Sequence, residues 1–478
     1  MRLNREQLQE VMQKHGVDRI WSWSKFHCFE TSPYEYFLKY IQKVKEDKAD
    51  SIYVSTGGMS HEILERFYTG VIGYERMIEE FEDCWMTCFD IGELKFNRSD
   101  DEKNSSIAQK YYANMKHFFQ NHVPLAYHPT IEEFYDVEIG KHLFQGYIDC
   151  YFTDDDGNVH IVDFKTSSIY KGEKALNECG QLVVYAIGMT QRGIPLDKIK
   201  ICWNFLKYVN VLCEKPNYYR VEWETVKGET KVKEKLDEAK LVSTLKASIK
   251  AWLKADGYKK EVVEEAILQL EDSGDFSVIP QNIMEHFSIE KLDIENKPRQ
   301  IERCNIGQAL TADCKKQMKR LGYSAEEIEK NVAIMQEVNS IKFLPEDVQS
   351  KYQISDCYVY VDLTEEFVNE WKTKIIDTLE DIEYREGEYK KDNNENWFFD
   401  SMESVEKQSF YFNNLCSYSA NLHKPYAKYL EALKEAEEQK NNLFSELGIE
   451  TEDNTPISNK SSKDNSNNDI DLSWIDEL

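Results

Sequence analysis

Two strand-length segments, HLFQGYIDCYFT and NVHIVDFKTSS, meet at Asp154-Asp155-Asp156-Gly157-Asn158, and this junction constrains the fold more than any other part of the chain. Asp-Gly supplies the positive-φ turn that a tight hairpin requires, so the two segments are expected to pair antiparallel. FYDVEIG, just before them, alternates in the same way and makes a third neighbouring strand. A helix over Asn177–Arg192, stopped by Gly193-Ile194-Pro195, and a further strand in KICWNFLKYVNVLC complete an expected α/β core of a mixed central sheet flanked by helices.

The hairpin has a chemical consequence. Asp149 lies five residues before Asp154, and Asp163 five residues after Asn158, so the pairing makes them cross-strand neighbours. Side chains alternate along a strand, which puts Asp163 and Lys165 on one face. Two carboxylates beside a backbone carbonyl, that of Phe164, offer the hard oxygen donors that Mg2+ or Mn2+ prefers, and Lys165 stands ready to act on a water or a phosphoryl oxygen. Taken alone, an Asp-x-Lys at a strand end is an ordinary solvated pair, and its company decides the reading.

Composition narrows the classes. Lys and Arg number 59 against 87 Asp and Glu, a net charge of −28, which opposes a broad electrostatic nucleic-acid footprint and leaves any such binding to a local site. No run reaches the length of a membrane span, and the start lacks the apolar stretch of a secretory signal, so a cytoplasmic protein without membrane contact is expected. Eleven cysteines without framework spacing read as reduced core residues.

Helical spacing runs from Trp21 to about Tyr40, and a second helix carrying His61 and Glu65 on one face is expected to follow a turn at Thr56-Gly57-Gly58. From about Val221 the chain turns helical and charge-rich. The expected division is an α/β core over 1–220, a helical insertion over 221–354, completion of the core over 355–445, and a disordered acidic tail over 446–478. Within the insertion, KADGYKKEVVEEAI and KRLGYSAEEIEKNV share Lys, two residues, Gly-Tyr and an acidic helix, the mark of a duplicated helix-turn-helix unit. The tail ends in Ile470, Leu472, Trp474, Ile475 and Leu478 among acidic residues, which reads as a short docking peptide for a protein partner or as an inert solubilising tail.

His61, then Gly146-Tyr147-Ile148-Asp149, then Asp163-Phe164-Lys165, then Gln181-Leu182-Val183-Val184-Tyr185 follow one another in an order that resembles the PD-(D/E)XK nucleases, in particular their RecB-like branch with the AddB-type and CRISPR-adaptation nucleases. The resemblance covers roughly residues 20–220 and 355–425. It implies a restriction-endonuclease-like core, with His61, Asp149, Asp163 and the Phe164 carbonyl as metal ligands and Lys165 catalytic. Gln181 and Tyr185 would position DNA and the lysine; on the residues alone, they lie one turn apart on a helix facing the sheet, with Gln181 a buried glutamine hydrogen-bonded to backbone. Glu138 reads either as a supporting carboxylate or as a paired surface residue, and Thr166 and Ser167 either as phosphate donors or as the start of a turn.

The implied activity is a Mg2+- or Mn2+-dependent DNA exonuclease acting on linear or single-stranded ends in recombination, repair or replication of a bacterium or phage. Two alternatives stand beside it: a catalytically retired nuclease fold serving binding or assembly, and a structure-specific or RNA endonuclease. The resemblance also implies where an iron-sulfur cluster sits in many relatives. Here Ser32 precedes Pro33-Tyr34 in place of a cysteine, and LCSYSANLHKP keeps Cys416 but carries Ser419 and His423, so no cluster is expected and Cys28 reads as core packing. Closure of the two ends then falls to Trp397, Phe398, Phe399, Phe410, Tyr411 and Phe412 against the Trp21–Tyr40 segment.

Overall fold

The computed structural model of the chain describes residues 3–48, 52–91, 96 and 101–446; the tail beyond 446, with Trp474 and its neighbours, lies outside them. Ten strands occur among the described residues: β1 (Ile20–Ser22), β2 (Thr130–Ile139), β3 (His142–Thr153), β4 (Val159–Lys165), β5 (Ile199–Cys213), β6 (Tyr218–Glu224), β7 (Thr230–Leu236), β8 (Phe287–Leu292), β9 (Arg299–Glu302) and β10 (Tyr352–Val361). The chain divides into two compact units, Met1–Asn210 with Gln300–Ile306 and Ser355–Leu478, and Val211–Arg299 with Gly307–Ile354.

The first unit is built on a mixed seven-stranded sheet ordered β1-β3-β4-β5-β10, with β2 paired to β3 and β9 to β5. β2, β3 and β4 form the expected antiparallel meander, whereas β4 runs parallel to β5 and β1 parallel to β3. Alternation assigns the two faces. Ile161, Trp203 and Phe205 join a core with the helices Trp23–Thr31, Gly180–Gln191 and Glu365–Asp392, while Val162, Phe164, Cys202 and Leu206 pack with the helices Ile52–Tyr68, Tyr74–Trp85 and Asp101–Asn121. This is the α/β, restriction-endonuclease-like arrangement of a sheet between two helical layers.

Two local expectations are corrected. The helix expected after a turn at Thr56-Gly57-Gly58 runs unbroken over Ile52–Tyr68. Thr56 Oγ1 donates to the Ile52 and Tyr53 carbonyls and meets Tyr111 Oη at 3.1 Å, and Thr56, Gly57 and Ser60 are buried, so packing overrides the low helix propensity of the two glycines. The Trp21–Tyr40 segment is not one helix. Trp21 sits in β1, helices span Trp23–Thr31 and Pro33–Tyr36, and Ser32 caps the second of them because Pro33 cannot continue the first.

The second unit is not purely helical. It carries a three-stranded antiparallel sheet ordered β7-β6-β8, with Val221 and Trp223 buried against Leu245, Ile249 and Leu253. The Gly-Tyr repeat marks a real structural recurrence at a constant offset of 65 residues. Helices Glu238–Ala255 and Ile306–Arg320 end at left-handed Gly257 and Gly322, where Tyr258 N donates to Leu253 O and Tyr323 N to Met318 O. Helices Lys260–Ser273 and Ala325–Val338 follow and end at left-handed Gly274 and Asn339; then come the single turns Phe276–Val278 and Ile341–Phe343, Pro280 and Pro345, and the short helices Gln281–Met284 and Glu346–Gln349. Tyr258 donates to Asn282 and Tyr323 to Asp347, the equivalent position. One module of about fifty residues therefore occurs twice in this chain.

The two ends of the first unit meet through polar and aromatic contacts. Tyr34 packs edge-on to Phe399 at 5.1 Å, Phe37 stacks on Phe398 at 5.2 Å, and Tyr411 donates to Glu35. Trp397 instead meets Tyr384, and Phe412 packs on His423 and Tyr426. Beneath them a directed chain is fully buried: Tyr426 N–H donates to His423 Nδ1, which leaves the proton on Nε2 to bond Ser32 Oγ at 3.0 Å, and Ser32 Oγ donates to Asp400 at 2.9 Å.

Burial lifts the Asp400 pKa from 3.8 to about 7 and pushes His423 down to about 3. A raised acid contributes stability that is complete below its unfolded pKa and lost as pH rises through the folded one. Asp400→Asn should therefore gain in Tm relative to the wild type as pH rises from about 4 to 7, and hold that gain above. His423 is common to both proteins and cancels; a difference in Tm that is flat across this window in paired thermal melts contradicts the assignment.

Candidate functional site

The pairing on one edge of β3 passes from β1, at Leu143–Gln145, to β4, at Cys150–Thr153, and the intervening stretch is Gly146-Tyr147-Ile148-Asp149. The backbone groups of that stretch need other partners. Tyr185, on the Gly180–Gln191 helix, donates its hydroxyl to the Tyr147 carbonyl at 2.7 Å, and Gln181 donates to the same hydroxyl at 3.3 Å. Gly146 makes the approach possible, since a Cβ there would stand 2.6 Å from the Tyr185 ring. Gln181 and Tyr185 thus fix the strand that carries Asp149.

Gly146→Ala should cost about 1–3 kcal/mol by overpacking. Tyr185→Ala in the same chain should remove most of the excess, a coupling that urea unfolding of the two single variants and the double variant would show as strong non-additivity.

Where β3 and β4 end their pairing, the expected residues converge. Asp149 falls opposite Asp163 in the register that runs through Cys150 and Val162, and its carboxylate accepts from Phe164 N–H at 3.3 Å. His61, from the Ile52–Tyr68 helix, reaches over the opposite face. Its Nε2 lies 2.8 Å from the Phe164 carbonyl and its Nδ1 3.4 Å from Asp149. A carbonyl only accepts, so Nε2 carries a proton and Nδ1 is turned to the carboxylate. Burial works to raise the Asp149 pKa, but the His61 ring, the Lys165 ammonium and the Phe164 N–H outweigh it and hold the carboxyl below its usual range. Lys165 lies 3.3 Å from Asp163, and both side chains are almost wholly buried, at 3% and 5% exposure.

Of the other sequence candidates, Glu138 falls outside this cluster, an exposed carboxylate bonded to His15. Thr166 and Ser167 are buried, with Ser167 bonded to the Tyr170 hydroxyl. One residue that the sequence pattern missed stands inside it: Glu132, on β2, offers a carboxylate oxygen that lies, with one ligand atom each from His61 and Asp149, within a group spanning 4.8 Å. Its only signal was position, directly across the β2–β3 pairing from Asp149.

Two carboxylates and an imidazole nitrogen within this span are donors of the kind that bind a divalent cation, and they meet at one end of a β-meander beside a buried lysine. No helix of the described residues is long and apolar enough to cross a membrane. A comparison with curated proteins finds no match. The sequence profile of the PD-(D/E)XK nuclease superfamily matches residues 20–281, a span that takes in His61, Glu132, Asp149, Asp163, Lys165, Gln181 and Tyr185. By its mixed sheet, its Asp149 and Asp163-x-Lys165 strands and this match over more than half its length, the chain belongs to the PD-(D/E)XK nuclease superfamily.

Proposed function

We propose that this chain is a divalent-metal-dependent deoxyribonuclease of the RecB-like branch that processes the ends of linear DNA, preferentially single-stranded. The observation that carries the reading is the convergence of His61, Asp149, Asp163 and Lys165 at the point where β3 and β4 part. His61, Asp149, Asp163 and the Phe164 carbonyl are the donors that the motif pattern assigns to the ion. When bound, Mg2+ or Mn2+ supplies Lewis-acid polarisation of the scissile phosphate and lowers the pKa of water.

The remaining work belongs to the side chains. Asp163 holds the Lys165 ammonium at a fixed place, from which it donates to a non-bridging phosphate oxygen as negative charge develops there, with no reorganisation needed at that moment. Asp149 and the Phe164 N–H hold β3 and β4 in a single relation, and Tyr185 with Gln181 prevents that strand from shifting under the substrate. The strongly acidic chain disfavours side-on binding along a duplex, which supports entry at an end.

Labelled linear, circular, single-stranded and double-stranded DNA, each with Mg2+, with Mn2+ and with EDTA, tests the reading. Degradation of linear DNA dependent on the metal is expected, and rapid cutting of closed circles without activity at ends would overturn the end-processing part. The same reading leaves out an iron-sulfur cluster. Ser32 stands where the relatives of the resemblance carry a ligand cysteine, its hydroxyl bonds Asp400 and His423, and a neutral hydroxyl is a poor iron ligand. Anaerobically purified protein should be colourless; brown protein with about four irons per chain contradicts this part.

A further inference from the structure

Glu132 is the carboxylate at the site to which no role has yet been given. β2 and β3 pair Ile131 with Cys150 and Glu133 with Ile148, so Glu132 falls opposite Asp149. At Glu132 the backbone turns left-handed, with φ at 51°, a region that non-glycine residues visit at a cost and that β-strands do not use. The same region brings its carboxylate to the His61 and Asp149 donors. Asp163 Oδ2 lies 3.3 Å from the Lys165 ammonium, beside this group of donor atoms on the neighbouring strand.

The electrostatics point the same way. With Nε2 bonded to the Phe164 carbonyl, His61 turns Nδ1 to the Glu132 and Asp149 carboxylates; a divalent cation that displaces any proton on Nδ1 meets a lone pair and two negative charges in one small space. An imidazole whose second nitrogen donates to a backbone carbonyl is held in the orientation and tautomer that a metal-bound histidine requires. We propose that Glu132 is a direct metal ligand, a side chain that joins His61 and Asp149 in holding the ion beside the donors that the motif pattern assigns. This rests on the metal-dependent reading above.

The test measures binding without DNA. Mn2+ is titrated calorimetrically into the full chain and into Glu132→Gln, Glu132→Gly, Asp163→Asn and Glu133→Gln, where Glu133 is the neighbour that engages Tyr151 instead. Glu132→Gln should lose at least about tenfold in affinity, the loss that even the supporting partners of metal ligands cause. Asp163→Asn, at a donor already assigned to the ion, is the positive control and should also lose affinity, and Glu133→Gln should match the wild type.

Glu132→Gly guards against misfolding, because glycine adopts the left-handed backbone freely. It should melt in EDTA at or above the wild-type temperature and yet lose the rise in Tm that Mn2+ gives the wild type. Wild-type affinity in both Glu132 variants overturns the proposal. If Glu132→Gln binds normally while Lys165→Ala is inactive, the assignment of Glu132 fails and the nuclease reading stands; a wild type that binds no Mn2+ and a Lys165→Ala variant that cleaves normally would remove both.

Discussion

Lys165→Ala is expected to reduce metal-dependent DNA cleavage by at least about 10²–10³-fold, the cost of removing a preorganised charge donor, while leaving Mn2+ affinity within a few-fold of the wild type. The two readouts separate because an ammonium is not a ligand. Asp149→Ala should lose both, since its carboxylate lies between the His61 ring and the Phe164 N–H at the centre of the donor group. Lys165 is 3% exposed and ion-paired with Asp163, so its removal strands a buried carboxylate and lowers stability as well as activity. Lys165→Ala/Asp163→Asn relieves that charge. If cleavage stays absent while the Tm recovers, the lost activity is chemical rather than a failure of folding; full cleavage by Lys165→Ala would remove the lysine from the mechanism.

The central hairpin was legible because its turn chemistry and its period of two agree, and each fixes the register of Asp149 against Asp163 independently. Gln181 and Tyr185 were legible as a pair one turn apart, but the backbone bond expected of Gln181 is made by Tyr185, to the Tyr147 carbonyl, in the gap between β1 and β4 along β3, and half-buried Gln181 donates to the Tyr185 hydroxyl instead. Glu132 was hidden by its backbone: a left-handed residue within an otherwise regular strand redirects a side chain that alternation alone would place elsewhere. The sheet of the second unit escaped because β7, TKVKEKL, is charged and exposed along nearly all its length and shows no buried apolar face to read. The helix through Gly57-Gly58 was misread because local propensity is weaker than the packing of Thr56 and Ser60.

Arg303 shows the same dependence on distant sequence, and with it the largest stability effect to be expected in the molecule. Residues Gln300–Ile306 belong to the first unit although the chain on either side of them belongs to the second. Their anchor is the Arg303 side chain, 1% exposed, which donates from Nε to the Leu206 carbonyl at 2.8 Å and from Nη2 to Asp356 at 2.5 Å. Asp356 also meets His122 Nδ1 at 2.7 Å, and His122 Nε2 meets the Tyr68 hydroxyl at 2.7 Å. One buried cation thereby ties together segments near residues 68, 122, 206 and 356.

Burial opposes the Asp356 carboxylate, but His122 and Arg303 outweigh it and keep its pKa below the usual range. Arg303→Met leaves that carboxylate buried without its guanidinium and should cost about 3–5 kcal/mol in urea unfolding. A depressed acid contributes stability that is present above its unfolded pKa and lost as pH falls through the folded one, so the wild-type advantage over Arg303→Met should shrink below about pH 4. Arg303→Met/Asp356→Leu removes both charges and should recover much of the loss, because two apolar side chains of similar size carry no desolvation penalty. A double variant no more stable than Arg303→Met would show that the bond to the Leu206 carbonyl, rather than the ion pair, holds this segment in place.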